Sequence, residues 1–377
     1  MENVLISGGA GFIGSNLALK LVNLGHKVTI LDNLSPQIHT KSELNSQLYL
    51  SIKDKVNFIN GDVRNRKDWQ KSIADNSVIV HLAAETGTGQ SMYQIEKYVE
   101  VNCGGTAIML DILANENHQV KKVIVASSRA IYGEGKYHCN IHGDVYPTER
   151  TDKQMSEGYF EPLCTSCNQP VSLASTDEKS KIHPTSIYGI TKSNQEQMIL
   201  VTCKSLGIPA IALRYQNVYG PGQSLSNPYT GILSIFSTRI LNNNPINIFE
   251  DGQESRDFVF IDDVIDATTL AIHNHDIESD SMNVGSGIST SVQTVADELK
   301  RLYQSNVEIN VSGNYRLGDI RHNKADISKI QRRLGFNPKV SFEDGLKQFV
   351  EWVKTQDVKS DNYDQSISEM KDKGLMK

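Results

Sequence analysis

The stretch Asn3-Val4-Leu5-Ile6-Ser7-Gly8-Gly9-Ala10-Gly11-Phe12-Ile13-Gly14 decides the fold. A short apolar run ends in a glycine-rich turn and passes into an amphipathic stretch over 12–24 that stops at Gly25, a natural helix C-cap. In this strand–loop–helix context Gly8, Gly11 and Gly14 point to a dinucleotide. Small residues let the backbone approach a pyrophosphate, which then sits at a positive helix N-terminus. Phe12 and Ile13 belong to the same cofactor loop. Asp32 ends the next apolar run, 18 residues after Gly14, where a carboxylate can hold the adenine-ribose hydroxyls. It favours NAD over NADP, whose 2′-phosphate it would repel. Asp62, in Gly61-Asp62-Val63 after the third run, is placed to accept a hydrogen bond from the adenine amino group.

Outward from that unit, apolar runs at 3–7, 27–31, 56–60, 77–82, 121–127 and 209–215 alternate with amphipathic stretches at 12–24, 91–116 and 186–206. The alternation predicts an α/β protein, a Rossmann-type doubly wound parallel sheet with its ligand at the carboxyl ends of the strands. Residues 1–215 are expected to form the NAD-binding domain, interrupted by a polar, cysteine-bearing insertion at 134–181. Residues 216–355 are expected to form a smaller C-terminal substrate-binding lobe, and 356–377 a charged tail with a frayed end.

The 377 residues carry a formal net charge of −6, which gives a nucleic-acid partner no support from bulk electrostatics. No apolar run approaches the ~20 residues that cross a bilayer. A core strand beginning almost at Met1 argues against a secretory signal, so a cytoplasmic protein without a membrane partner is expected.

Tyr188 and Lys192 stand four apart on a predicted helix and share a face. A tyrosine with its usual pKa of ~10 is a poor base at neutral pH, and a nearby ammonium stabilises the phenolate. Ser128, at the end of the fifth run, is positioned to hydrogen-bond the phenolate or a substrate hydroxyl. The spacing alone also suits a solvated helix face; the dinucleotide loop shifts the balance to catalysis.

These residues bring the chain to a known family. From residue ~2 to ~353 it resembles the extended short-chain dehydrogenase/reductase superfamily, the nucleotide-sugar epimerases and dehydratases. The resemblance rests on the loop at 8–14, Leu82-Ala83-Ala84, Asn102, Ser127-Ser128 before Tyr132-Gly133, Tyr188 with Lys192, the run Arg214–Gly222, and Arg256-Asp257-Phe258-Val259. It implies Tyr188 as general base and acid, Lys192 on the nicotinamide ribose, and Ser128 orienting the hydroxyl to be oxidised. It implies Asn33, Val63, Leu82, Ala83, Ala84 and Asn102 on the cofactor side. Thr86, Arg129, Asn217, Arg256 and Arg321 fall on the sugar-nucleotide side. Arg256 faces the diphosphate, and Arg321 is a second candidate for the diphosphate or nucleoside. A homodimer built from helices at ~91–116 and 186–206 is implied in the same way.

Family reactions begin by removing a hydride from the sugar C4. The dehydratases of the family carry an Asp-Glu pair after the catalytic serine or threonine, and the decarboxylases a glutamate. Here Arg129 and Ala130 stand there, which leaves 4-epimerisation.

Cys139-Asn140-Ile141-His142-Gly143 and Cys164-Thr165-Ser166-Cys167-Asn168, inside the insertion, are each a Cys-x-x-(Cys/His) turn followed by a residue tolerant of positive φ. Two such turns can supply Cys139, His142, Cys164 and Cys167 to a closed, structural, tetrahedral zinc. Free thiols are the alternative, and His138 an alternative ligand to His142. The insertion, with Gln216–Gly231, is similar to the group that epimerises dTDP-L-rhamnose, implying dTDP-6-deoxy-L-talose as product. UDP-hexose 4-epimerisation is the second expectation. A net oxidoreductase, a non-catalytic NAD-binding regulator and an interaction role for the insertion remain distinct readings.

Overall fold

Seven parallel strands make the central sheet: β1 (Asn3–Ser7), β2 (Lys27–Asp32), β3 (Asn57–Asn60), β4 (Val78–His81), β5 (Lys122–Ser128), β6 (Ala210–Tyr215) and β7 (Ser279–Val284). Their order is β3-β2-β1-β4-β5-β6-β7. The first six agree with the apolar runs to within one residue at each end. These strands are apolar throughout because both faces are covered. On one face Val4, Ile6, Val80 and Ile124 pack with Leu17, Leu21 and Val264. On the other Leu5, Ile79, Val123 and Val125 pack with Trp69, Met109 and Ile199. The chain reverses direction across the sheet between β1 and β4, and at that switch point the carboxyl ends open into a crevice.

The computed structural model describes residues 1–39, 46–225, 227, 231–356, 361 and 363–377. Of the expected 216–231 substrate segment, Ser226, Pro228, Tyr229 and Thr230 lie outside the described residues. No described helix is long and apolar enough to cross a membrane.

The structure departs from the sequence reading in three places. First, β7 pairs with β6 from Ser279–Ala210 to Val284–Tyr215, and the helix Ile261–His273 packs on the helix Phe12–Asn23. Residues 261–284 thus return to the dinucleotide-binding layers, and a boundary at 215 does not separate two domains cleanly. Second, the stretch 91–116 is not one helix. Short turns at Thr88–Ser91 and Ile95–Tyr98 lead through a π-helical Val99–Gly104 into Gly105–Asn115. A Cβ on Gly105 would lie 2.8 Å from the Val63 side chain, so only glycine allows that approach. Third, the tail is docked rather than frayed. The helix Tyr363–Asp372 buries Tyr363 and Met370, and residues 375–377 run antiparallel to 315–317 through Tyr315 N–H to Lys377 O (2.9 Å) and Leu317 N–H to Leu375 O (3.0 Å).

The helix Ile187–Leu206 fulfils its expectation. Ser186 Oγ accepts from Gly189 N–H at 3.1 Å and caps its start, and Gly207 at φ +67° closes it. The insertion is a small antiparallel sheet of Tyr137–Cys139 between Gly143–Val145 and Ser172–Leu173.

Candidate active site

A cleft of about 460 Å³ opens at the switch point. Its walls are the loops after β1, β2, β4, β5 and β6 and the first turns of the helix Ile187–Leu206. Gly8, Gly11, Phe12, Ile13, Gly14, Asp32, Asn33, Val63, Leu82, Ala83, Ala84, Thr86, Ser128, Arg129, Tyr188, Lys192 and Asn217, all singled out in the sequence, meet there.

The three glycines divide their work. A Cβ on Gly8 would stand 2.7 Å from Ala83 N, and one on Gly14 would stand 2.4 Å from Gly8 O, so both close the packing of loop, helix and sheet. Beside Gly11 the nearest atom would be Gly8 O at 3.4 Å, so Gly11 leaves its backbone open to a ligand. Asp32 accepts from Ala10 N–H and Leu34 N–H, both at 2.9 Å. Burial raises its pKa, and those two amides oppose the rise.

At the other end of the cleft, burial raises the pKa of Tyr188, against a hydrogen bond from Ser128 and the charge of Arg129. Lys192 Nζ donates to Gln195 Oε1 at 2.8 Å, within a buried chain that continues through His81 and Thr106. Burial lowers the Lys192 pKa to about 7. Ser128 Oγ accepts from Ala130 N–H at 3.1 Å. Ser127 Oγ, Gln216 Oε1, Asn217 Oδ1 and Gln223 Oε1 are buried in the cleft without hydrogen-bond partners among the described residues. Unpaired buried acceptors are costly, so a wall carrying several is built for a polar ligand.

Four expected residues stand behind the cleft. Asn102 Oδ1 accepts from Glu85 N–H (2.8 Å), and its Nδ2 donates to Glu85 O and Thr191 Oγ1. It positions a wall residue and ties it to the Tyr188 helix. Asp62 is held by Arg64 through Nε at 3.0 Å and Nη2 at 2.8 Å, which lowers its pKa to about 2, and by Asn33; its neighbours Gly61 and Val63 face the cleft instead. Arg256 donates to the carbonyls of Ser255, Ile320 and Arg321 and pairs with Asp319 at 3.2 Å.

Arg321 corrects the sequence expectation. Its side chain is 1% exposed and bound to Glu161, Glu250 and Asp251. A guanidinium enclosed by carboxylates does not serve a diphosphate, since those anions repel another. Arg316, which the sequence does not single out, pairs with the other oxygen of Asp319 at 2.6 Å and is 38% exposed. Arg256 and Arg316 share the Asp319 carboxylate, and the charges of Arg129, Glu134 and Glu254 lie nearby.

In the insertion, Cys139 Sγ lies 3.7 Å from both His142 Nδ1 and Cys167 Sγ, and Cys164 Sγ lies 3.6 Å from His142 Nδ1. All four ligand atoms fall within 4.8 Å of one another. Gly143 and Asn168 have positive φ, as the turns require. His138 is turned to Asp144, so His142 is the histidine of the cluster.

A Rossmann sheet with a glycine-lined cleft at its switch point is the architecture of an NAD-dependent enzyme. The model of the NAD dependent epimerase/dehydratase family matches residues 4–285, and the chain belongs to that family. A dTDP-L-rhamnose 4-epimerase from Burkholderia thailandensis is 35% identical over 355 residues, 93% of this chain and 95% of that protein. A putative UDP-glucose 4-epimerase from Methanocaldococcus jannaschii is 30% identical over 93% of this chain and 98% of its own. Among solved structures, UDP-glucuronic acid 4-epimerase from Bacillus cereus, in complex with UDP-glucuronic acid and NAD, matches with a TM-score of 0.75 at 26% identity, covering 93% of this chain and 99% of that one. Within its family the chain is an isomerase, an NAD-dependent nucleotide-sugar 4-epimerase.

Proposed function

We propose that the chain interconverts dTDP-L-rhamnose and dTDP-6-deoxy-L-talose by inverting C4. The observation that carries this reading is 35% identity across 95% of the Burkholderia dTDP-L-rhamnose 4-epimerase. Arg129 and Ala130 support it, because neither offers the acid or base of a dehydratase. UDP-hexose 4-epimerisation is the second reading, favoured by the similarity to the Methanocaldococcus protein.

The open backbone at Gly11 and the acceptor Asp32 fit NAD. Gly8–Gly14 would hold its pyrophosphate and Asp32 its adenine ribose, with Asn33, Val63, Leu82, Ala83 and Ala84 along the same wall. Bound there, NAD supplies a hydride acceptor and donor for C4. Tyr188 takes the proton of the C4 hydroxyl as that carbon is oxidised. Ser128 orients the hydroxyl, and Lys192 supplies charge beside the phenolate and a donor for the nicotinamide ribose. Thr86, Asn217, Gln216 and Gln223 offer hydrogen bonds to a sugar that turns over within the cleft. Tyr188 then returns the proton. Arg256 and Arg316 face the diphosphate, where charge-assisted bonds suit a double anion.

The insertion is read as a zinc ribbon. Zn–S bonds of about 2.3 Å in a tetrahedron give edges of roughly 3.7 Å, and three of the ligand-atom separations, Cys139–His142, Cys139–Cys167 and Cys164–His142, are 3.6–3.7 Å. Cys139, His142, Cys164 and Cys167 would close the metal off from substrate, making its role structural. A homodimer through the segments at ~91–116 and 186–206 is part of the same reading. Met92, Ile95, Val99 and Val201 are exposed apolar residues there.

Separate incubations with dTDP-L-rhamnose and UDP-galactose, followed by NMR, test the assignment. A new C4 epimer from the dTDP sugar is expected, and conversion of UDP-galactose alone refutes it.

A further inference from the structure

Arg129 occupies the first position after the catalytic serine, in the 3-10 turn Arg129–Tyr132. Its half-buried side chain lines the cleft together with Ser128, Tyr188 and Asn217. The guanidinium makes no hydrogen bond or ion pair among the described residues. The charged groups it senses are Arg256 and Asp319 on the lobe side, Tyr188, and Glu134. A desolvated guanidinium without a protein partner calls for an anion.

The surroundings of Tyr188 supply one. It meets Tyr98, of the turn Ile95–Tyr98, ring to ring at 6.5 Å, whose hydroxyl is committed to the carbonyls of Thr86 and Gly87. Lys192, one turn along its own helix, donates to Gln195. Ser128 can give the phenolate a hydrogen bond but no charge. The turn Arg129–Tyr132 packs on the start of the Tyr188 helix, where a Cβ on Gly189 would stand 2.6 Å from Ala130 O, and Arg129 lines the same cleft as Tyr188 with its positive charge, kept at neutral pH although burial lowers its pKa to about 10.

We propose that Arg129 is an electrostatic positioning residue for Tyr188, stabilising its phenolate while the C4 hydroxyl proton moves between substrate and tyrosine. The proposal rests on Tyr188 being the general base of the proposed epimerisation. The O–H bond of the sugar breaks as that of Tyr188 forms, and the reverse holds on return. Arg129 keeps its own protons throughout. Arg129 therefore answers to the tyrosine as well as excluding the acid of a dehydratase.

The test compares the NAD-loaded wild type with Arg129→Met and Arg129→Lys. Phenolate absorbance is titrated against pH, with Tyr188→Phe as the blank that isolates this tyrosine. The ionisation midpoint should rise by at least one unit in Arg129→Met and by less in Arg129→Lys. The kcat of Arg129→Met at neutral pH should fall tenfold or more, with KM changing less than threefold and added guanidinium restoring part of the rate. An unmoved midpoint with a tenfold higher KM overturns the proposal and assigns Arg129 to the diphosphate. An unmoved midpoint with unchanged kinetics overturns it outright. Should Arg129→Met fail to fold, an Arg129→Lys protein with a wild-type midpoint and no response to guanidinium overturns it as well. A wild type that turns over no nucleotide sugar, yet shows the midpoint shift on substitution, sinks the epimerase reading and leaves the pairing intact.

Discussion

In the proposed epimerisation Tyr188 serves once as base and once as acid in each turnover, so its proton affinity cannot lie far in either direction. Burial raises it, and Ser128 and Arg129 oppose the rise. Replacing Tyr188 with Phe should lower kcat by roughly 10²–10⁴-fold, the usual scale for general acid–base catalysis, while NAD affinity measured by calorimetry changes little. A loss under threefold would remove Tyr188 from the proton transfer. Asp257 has a structural role. It accepts from Ser286 N–H, Gly287 N–H and Ala325 N–H, tying the loop after β7 to the segment beside Asp319. Asp257→Ala strands these donors and should cost about 2–4 kcal/mol in denaturant unfolding. At this scale the sequence showed Gly8–Gly14, Asp32, Tyr188 and Lys192 because each lies within a local motif. It could not show that Arg321 is enclosed by carboxylates. That depends on Glu161, Glu250 and Asp251, and Glu161 belongs to an insertion far away in the chain.

Two elements beyond the Rossmann unit hold the substrate side in place. The insertion is fastened to the lobe by Arg150 with Glu250 at 2.8 Å, by Glu161 with Arg321 and His322, and by the Thr176–Ala325 bridge. Purified protein should carry one zinc per chain. Its removal by chelator should lower the melting temperature and free the four thiols to titrate; under half an equivalent, with every thiol already reactive, would exclude the metal. The C-terminal segment joins two sides of the cleft. Met370 reaches Gly89 and Lys373 lies over Tyr93 on the Rossmann side, while residues 375–377 pair with 315–317, the segment bearing Arg316. Truncation after residue 355 should therefore raise KM for the nucleotide sugar severalfold and leave NAD binding near wild type. Equal kinetics would make the docking irrelevant to the site. The elements the sequence concealed share a physical cause. The first half of β7 is polar because it is partly exposed at the sheet edge, so no apolar run marks it. The tail's few apolar residues are spaced to meet one surface, and composition alone reads such a segment as frayed. The break within 91–116 follows from close packing at Gly105, a tertiary constraint.

Over the whole molecule, the parallel order of the strands brings loops from β1, β2, β4, β5 and β6 to one crevice, and the return of residues 261–284 binds the C-terminal lobe to that framework. Val201, 70% exposed on the helix that carries Tyr188, marks the expected dimer face. Val201→Arg should shift the sedimentation of a dimer toward monomer; a wild type that sediments as a monomer contradicts the assembly. The central claim is that the hydride taken from C4 returns to C4. It is tested most directly with dTDP-L-rhamnose deuterated at C4, incubated in ordinary water and followed by NMR and by absorbance. The account predicts dTDP-6-deoxy-L-talose that keeps its deuterium at C4, with reduced cofactor never exceeding one equivalent per site. Loss of the label from that carbon, or NADH accumulating in proportion to substrate, would contradict it.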